Sequence, residues 1–572
     1  MDGHSLLVLH NGCMQRSSWS RALPFLHWPR LTPALLRQDG MAGLTVALLM
    51  IPQSVAYAAL AGMPLVTGLY AAVLPALVGA LWGGSTRVSV GPTALTCLLV
   101  SASLTGLAAP GSAQWLELGV WLAILSGLLQ LVLGLGRYGW LLNLISSPVM
   151  TGFTQAAALL IIASQLPALL GLPQGLAGFV SGPQAGQFDL QALLFGVISL
   201  AALLAGKRWA PRLPAIMGVV VGAGLISHFG GFAAGGGAVI GALPAGLPAP
   251  MLPGWPGLEV LSALLVPAMV IALVSFLETA ASARTEHQKD GTRWNENQDL
   301  TGQGLAKLAS AISGSFPTSA SFSRSAIYLY AGARSGWAAL VTALIVALAL
   351  LGAGALSPVP RSVLAAVVVM AVTGLLKPQA FVRLWQIGRV EAMTAGVTFV
   401  ITLLTAPRIY WGVLSGVLLT LGHFLHTRLH PRIIEVGLHP DGSMRDRHLW
   451  KLPPLAPNLY ALRMDAELDF AAASSLERAI TEHLAAHPTV RHVCLFAQPI
   501  NRIDVTGIET FGQLRRQLAA RGVTLHISGI KLPVETALQR AGEWPTDQPQ
   551  NLPHLRSYRT DAEALQALQQ LH

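Results

Sequence analysis

The run Phe316-Pro317-Thr318-Ser319-Ala320-Ser321-Phe322-Ser323-Arg324-Ser325 sets a guanidinium among hydroxyls inside an apolar stretch. A charged side chain at membrane depth is costly, so Arg324 needs a task or a partner. A helix that starts again after such a break presents unpaired N–H groups and about half a positive charge at its N-terminus. That end, with Arg324 beside it, is chemistry for an anion. Ser321 and Ser323 are candidate hydroxyl donors to the same ligand, and they serve equally well as N-caps. The alternative for Arg324 is a snorkelling or purely structural cation. A second break, Ser89-Val90-Gly91-Pro92-Thr93, opens another apolar stretch earlier in the chain. Two such ends facing each other would attract a negative ligand. Glu278 lies in Val274-Ser275-Phe276-Leu277-Glu278-Thr279-Ala280, deep in a third stretch. The neutral acid is far cheaper there than the carboxylate, which makes Glu278 a candidate proton carrier. Its alternative is a fixed partner for Arg324.

These residues need a membrane to position them. Hydrophobic residues make up 53% of the 572, charged residues only 11%, and mean hydropathy is +0.56. A soluble chain carries roughly 25% charge, and a disordered one is polar, so both classes are excluded. Between Gly40 and Gly136 the only ionised side chains are Arg87 and Glu117. That stretch holds about four spans of ~20 residues. Further apolar stretches lie at about 140–171, 187–205, 213–228, 258–283, 302–315, 323–332, 336–355, 360–376, 391–406 and 409–427, which predicts about fourteen segments. The two breaks then open the third and the tenth, equivalent positions in two sets of seven, as in transporters built from inverted repeats around a midplane site. Glu278 falls in the eighth. Glu117, Asp189 and Glu259 lie near segment ends and read as interfacial.

Charge in the loops sets the orientation. The N-terminal arm carries Arg16, Arg21, Arg30 and Arg37. Alternate loops carry Arg87; Arg137; Lys207, Arg208 and Arg212; Arg284, Lys289 and Arg293; Arg334; and Lys377, Arg383 and Arg389. The opposite loops are nearly free of Lys and Arg, and the longest, His228 to Gly257, has none. This positive-inside pattern predicts both termini on the cytoplasmic side of a cell inner (plasma) membrane. It accounts for the net charge of +10 without nucleic acid. Cys13, Cys97 and Cys494 are too far apart for a disulfide scaffold or a metal. Gly134-Leu135-Gly136-Arg137-Tyr138-Gly139 matches a dinucleotide fingerprint but follows a membrane segment rather than a strand. His423, His426 and His430 cluster at the end of the last segment and read as interfacial rather than as metal ligands. No cofactor is expected, only a coupling ion.

After His430 the charge rises. Leu459 to Met464, Val490 to Phe496 and Val523 to Ile527 read as strands. Helices are expected at Phe470 to His483, from Ile508 through Phe511, Leu514 and Leu518, and near Pro533 to Ala541. Alternating β and α predicts a small α/β domain with a covered sheet. It holds no catalytic set, so no enzyme is expected. The predicted domains are an arm at 1–38, a transport domain at 39–430, a linker at 431–454 and the α/β domain at 455–572.

Ala42-Gly43-Leu44-Thr45-Val46-Ala47, Ile51-Pro52-Gln53-Ser54-Val55-Ala56-Tyr57-Ala58, Gly68-Leu69-Tyr70, Ser89-Val90-Gly91-Pro92 and Ser321-Phe322-Ser323-Arg324-Ser325-Ala326 together resemble the SulP family of anion transporters, solute carrier family 26. The tail is similar to a STAS domain. The resemblance covers about 39–572. It implies fourteen segments in two inverted sevens, divided into core and gate. An anion sits between half-helices three and ten, and the core moves past the gate as an elevator. By matching position, Gln53 and Tyr57 line the site, Thr93 caps segment three, and Ser323 and Arg324 lie at segment ten. Family members are commonly homodimers. Sodium-coupled bicarbonate members tend to carry Asp and hydroxyl ligands around the Glu278 position, so Glu278 points to protons instead. In anti-sigma relatives of the tail the loop reads Asp-Ser-Ser-Gly, with the second Ser phosphorylated. Here it is Asp504-Val505-Thr506-Gly507, which leaves Thr506 as a phosphate acceptor or a helix cap. The expectation is proton-coupled symport of a small anion: sulfate, bicarbonate or a dicarboxylate such as fumarate. The rivals are sodium coupling, exchange, an anion channel and a membrane sensor.

Overall fold

A computed structural model describes residues 23–172, 188–209, 214–545, 552 and 554–570. Cys13, Arg16, Arg21 and Arg212 lie outside them. The chain forms two compact units, divided between Thr420 and Leu421.

In the first unit the helices are α1 (Pro33–Leu60), α2 (Leu65–Trp82), α3 (Ala94–Leu104), α4 (Ala113–Leu135), α5 (Ser147–Leu169), α6 (Leu190–Trp209), α7 (Ala215–Phe229), α8 (Leu258–Asp290), α9 (Glu296–Ile312), α10 (Phe322–Tyr330), α11 (Trp337–Leu351), α12 (Arg361–Thr373), α13 (Gln379–Ile387), α14 (Arg389–Leu404) and α15 (Tyr410–Leu429). α1 to α12, α14 and α15 fall at the positions of the predicted segments. Six of them, α1, α2, α4, α5, α6 and α8, are long and apolar enough to cross a bilayer. α13 lies where the sequence predicts a basic loop with Lys377, Arg383 and Arg389. It is short and amphipathic and leaves Val382, Trp385 and Ile387 exposed, as suits a helix lying in an interface.

Two groups of helices emerge from the packing. α1, α2 and α11 pack together, α9 packs along α4 and α2, and α8 packs on α3, α4 and α10. α5 packs on α12 and α14, and α6 on α7 and α12. Small residues bring the backbones together, as they do where lipid supplies no hydrophobic drive. A Cβ on Gly43 would lie 2.6 Å from the Ala338 carbonyl, and one on Gly304 2.7 Å from the Leu131 amide. Carboxylates pin the loops. Asp39 is fully buried and accepts from the Arg334 amide (2.7 Å) and the Ser335 hydroxyl (2.5 Å). Asp299 accepts from the amides of Gly84 (2.7 Å) and Ser85 (3.0 Å) and from Trp294 Nε1 (2.7 Å). Glu286 holds Arg87 at 3.3 Å, and Asp290 completes that ion pair.

The second unit is a six-stranded sheet in the order β4-β3-β5-β6-β7-β8. The strands are β3 (Ile433–Leu438), β4 (Met444–Asp446), β5 (Leu459–Met464), β6 (His492–Phe496), β7 (Thr524–Ser528) and β8 (Leu555–Tyr558). β5 to β8 are parallel, and β3 joins β5 antiparallel. The helices are α16 (Arg447–Trp450), α17 (Ala473–Ala486), α18 (Val505–Ala520), α19 (Leu532–Arg540) and α20 (Asp561–Gln569). Residues 431–454, expected to be a linker, instead carry β3, β4 and α16. Ile434 and Val436 point into the apolar core, and the hairpin of β3 and β4 extends the sheet. Within the sheet, His526 Nδ1 meets the Tyr558 hydroxyl at 3.0 Å and its Nε2 meets His492 Nδ1 at 3.1 Å. Burial, helped by the charges of His492 and Arg556, pushes His526 down to about 4.

Candidate anion site

Each break predicted from the sequence holds a two-residue strand before its helix. β1 (Val90–Gly91) pairs antiparallel with β2 (Ser319–Ala320), Val90 opposite Ala320 and Gly91 opposite Ser319. The pairing sets the N-termini of α3 and α10 side by side. Both are capped: Thr93 Oγ1 accepts from the Thr96 amide, and Ser321 Oγ from the Arg324 amide, each at 3.4 Å.

Ser89 ties the two breaks together with every polar atom it has. Its amide donates to Ser325 Oγ (2.9 Å), its carbonyl accepts from the Ser321 amide (2.9 Å), and its hydroxyl accepts from Arg324 Nε (3.2 Å). Arg324 is 1% exposed. Its Nη1 donates to the Pro92 carbonyl at 3.1 Å, while Nη2 has no partner. A buried guanidinium nitrogen without an acceptor is expensive. A Cβ on Gly91 would stand 3.3 Å from that nitrogen and against Met50 Cε. Met50, Gln53 and Tyr57 share one face of α1 at helical spacing. Gln53 and Tyr57 are buried, and Gln53 Oε1 is also without a partner. Two orphaned polar groups thus sit near the paired N-termini.

Glu278 reaches the same place from α8. Its Oε2 accepts from Thr93 Oγ1 at 3.0 Å. Among the described residues, no ion pair joins Glu278 to Arg324. Arg324 is therefore anchored by a hydroxyl and a carbonyl, both neutral, and its charge is uncompensated at contact distance. Ser321 is half-buried. Ser323 is exposed, its hydroxyl 3.2 Å from that of Ser321, so the buried hydroxyls beside Arg324 are those of Ser89 and Ser325 instead. Neither was singled out from the sequence: a Ser in a break carries no signal until its partner is known. Thr506 lies elsewhere, exposed in the first turn of α18, where Asp504 and not Thr506 caps the helix through the Gly507 amide (2.8 Å). A groove of about 480 Å³ between α6 and α7, lined by Phe195, Ile198 and Phe232, is apolar and offers an anion no charge.

Residues 36–398 match the sulfate permease family, and 454–544 match the STAS domain. The chain belongs to the sulfate permease family. A probable sulfate transporter of Mycobacterium tuberculosis is 32% identical over 88% of this chain and 91% of its own length. Probable sulfate transporter 4.2 of Arabidopsis thaliana is 31% identical over 88% of this chain and 77% of that one. The sodium-independent sulfate anion transporter of Bos taurus is 29% identical over 92% and 90%. Among solved structures, the murine solute carrier 26 family member A9 anion transporter, inward-facing, superposes with a TM-score of 0.84 at 21% identity, over 97% of this chain and 95% of that one. The transmembrane domain of a cyanobacterial bicarbonate transporter gives 0.58 at 20% identity, over 68% and 98%. This sulfate permease family member is thus a polytopic α-helical membrane transporter with a C-terminal STAS domain, and not an enzyme.

Proposed function

We propose that the protein is a secondary active transporter of a small anion, bound between the N-termini of α3 and α10 and carried together with a proton on Glu278. The observation that carries this reading is Arg324 Nη2, buried and without an acceptor beside two capped helix N-termini. An anion oxygen supplies the missing acceptor, and the half-helix ends add their partial charges. Gln53 and Tyr57 line the third side from α1, and Ser321 and Ser323 stand at the mouth of α10. Glu278, when protonated, adds no negative charge beside the entering anion. Thr93, which caps α3 and donates to Glu278, links the proton site to the anion site.

Sulfate heads the candidate substrates because the Mycobacterium, Arabidopsis and Bos relatives described above are named sulfate transporters; bicarbonate and dicarboxylates such as fumarate follow. We place the protein in the cell inner (plasma) membrane with both termini cytoplasmic, as a homodimer in lipid. The group containing α1 to α4 and α8 to α11 would travel as the core, and α5 to α7 with α12, α14 and α15 would form the gate. Thr506, exposed at a helix N-terminus, would accept phosphate as a regulatory mark.

The test is uptake of labelled sulfate, bicarbonate and fumarate into proteoliposomes, with and without an inward proton gradient, sodium absent. Saturable accumulation of one of them, driven by the gradient, is expected. A sodium requirement would replace the proton with sodium. Unsaturable, ungated flux would make the protein a channel, and binding without flux a sensor.

A further inference from the structure

α9 carries a charge that the anion site leaves without a task. Lys307 is fully buried in the middle of that helix. A lysine stem usually carries its ammonium out to water. Here α4 and α9 pack too closely for that. A Cβ on Gly127 would lie 2.9 Å from Lys307 Cβ and 3.0 Å from the Gly304 carbonyl. The ammonium turns inward instead, and Nζ donates to Gln130 Oε1 at 2.8 Å.

Gln130 is itself fully buried, and its other end is committed. Nε2 donates to the Ala272 carbonyl (2.7 Å) and to Ser275 Oγ (3.0 Å), both on α8. That fixes the amide with its oxygen toward Lys307. Ser275 lies three residues before Glu278, so the amide carries the ammonium's field onto the face of α8 that holds the carboxylate. A single amide oxygen does not balance a buried ammonium; a counter-charge is needed. Glu278, one turn beyond Ser275 on α8, is the carboxylate on the face that Gln130 reaches. Around Glu278 itself stand Thr93 and Cys97 from α3, Ser319 from β2, Arg324 from α10, Tyr57 from α1 and Lys307 from α9. Lys307 and Arg324 are the only cations of that set. Arg324 faces the anion site, so its charge is shared with the substrate. The charge of Lys307 is not.

We propose that Lys307 is the resident counter-charge of Glu278, held by Gln130, and that it sets the acidity at which Glu278 takes up the transported proton. This rests on the reading of Glu278 as the proton carrier. Lys307 is a positioning residue. It touches neither anion nor proton, and it keeps Glu278 ionised when the site is empty, so that the proton is taken up only from a sufficiently acidic side.

Wild type, Lys307→Met, Lys307→Arg and Glu278→Gln are compared in proteoliposomes, with uptake measured against external pH. Without the neighbouring positive charge Glu278 holds its proton more readily. Lys307→Met should therefore move the half-maximum of uptake to a proton concentration at least tenfold lower, and Lys307→Arg should stay near wild type. A companion measurement guards against misfolding. Thermal unfolding of detergent-purified protein should show Lys307→Met and Glu278→Gln each destabilised, and the double variant less so than the two losses combined. A wild type whose uptake ignores pH would sink the Glu278 reading itself. A pH-responsive wild type with an unmoved half-maximum in a well-folded Lys307→Met, or strictly additive losses of stability, would overturn the assignment of Lys307 alone.

Discussion

Arg324 is fixed at two of its nitrogens and open at the third, the arrangement of a cation kept for a ligand. Arg324→Ala should weaken anion binding at least tenfold in folded protein, because charge-assisted hydrogen bonds contribute about 1.5–3 kcal/mol. Calorimetric titration with the transported anion measures it, and unchanged affinity would remove Arg324 from the site. Arg324→Lys should not restore binding, since an ammonium cannot span Ser89, Pro92 and an anion as the planar fork does. Glu278→Gln fixes the neutral state; it should keep anion binding and lose the response to an imposed pH gradient. A Gln variant that still concentrates substrate down the proton gradient would contradict proton coupling through this residue. Much of this site was readable in the sequence. A lone Arg and a lone Glu in apolar stretches announce themselves by what they would cost in lipid, and Ser321 and Thr93 by their place at helix starts. Ser89 was not readable, because its partner Arg324 is 235 positions away and nothing local marks the bond. Lys307 was overlooked for another reason. α9 opens on polar residues such as Asn295, Glu296 and Asp299, so a further Lys passes for part of a wet face until α4 is seen to cover it.

The elements that position these residues are short and paired. β1 and β2 are closed by two residue pairs, and Gly91 sits where the backbone passes Arg324. Gly91→Ala should fold, since Met50 Cε can swing aside, but the methyl crowds Arg324 Nη2. Overpacking of this kind costs about 1–3 kcal/mol. Thermal stability should fall by that amount and anion affinity about tenfold; equal affinity for both proteins would show that the anion does not approach from this side. Segment positions were legible because apolar runs of span length leave few alternatives, and the breaks were legible because Pro92 and Pro317 interrupt them. The pairing of the two breaks followed only from counting segments, and its register was beyond reach. α13 was hidden because its Arg383 and Gln379 read as loop polarity, although Val382 and Trp385 stand three residues apart, on one helical face. β3 and β4 were hidden because a strand at a sheet's margin needs no long apolar run.

At the scale of the molecule, the two units separate in sequence and in chemistry. The residues assembled at the anion site all precede Thr420. A chain truncated after His430 should therefore keep its anion affinity within about twofold while losing transport rate or stability; abolished binding in a well-folded truncation would extend the site into the tail. The tail carries its own pH dependence. His526 sits near 4 when folded, against 6.5 for the free side chain. The folded tail thus binds fewer protons than the unfolded one between those values, and its stability is intact above 6.5 and falls as pH drops toward 4. Allowing for partial solvation, the loss is on the order of 2 kcal/mol. Histidine resonances in the full-length protein should show the His526 ring still neutral at pH 5.5, and a midpoint near 6.5 would contradict its burial. The short strand pair has one more consequence. Because hydrogen bonds of the backbone tie the N-terminus of α3 to that of α10, the gap between them has a fixed width, like a gauge block. The remaining sides are α8, which brings Glu278 to Thr93, and α1, with Gln53 and Tyr57. On the proposed reading, discrimination between anions by radius falls to the neutral side chains of the α1 wall, Gln53 and Tyr57, and exchanging them should change the preferred anion without disturbing the charge of the site.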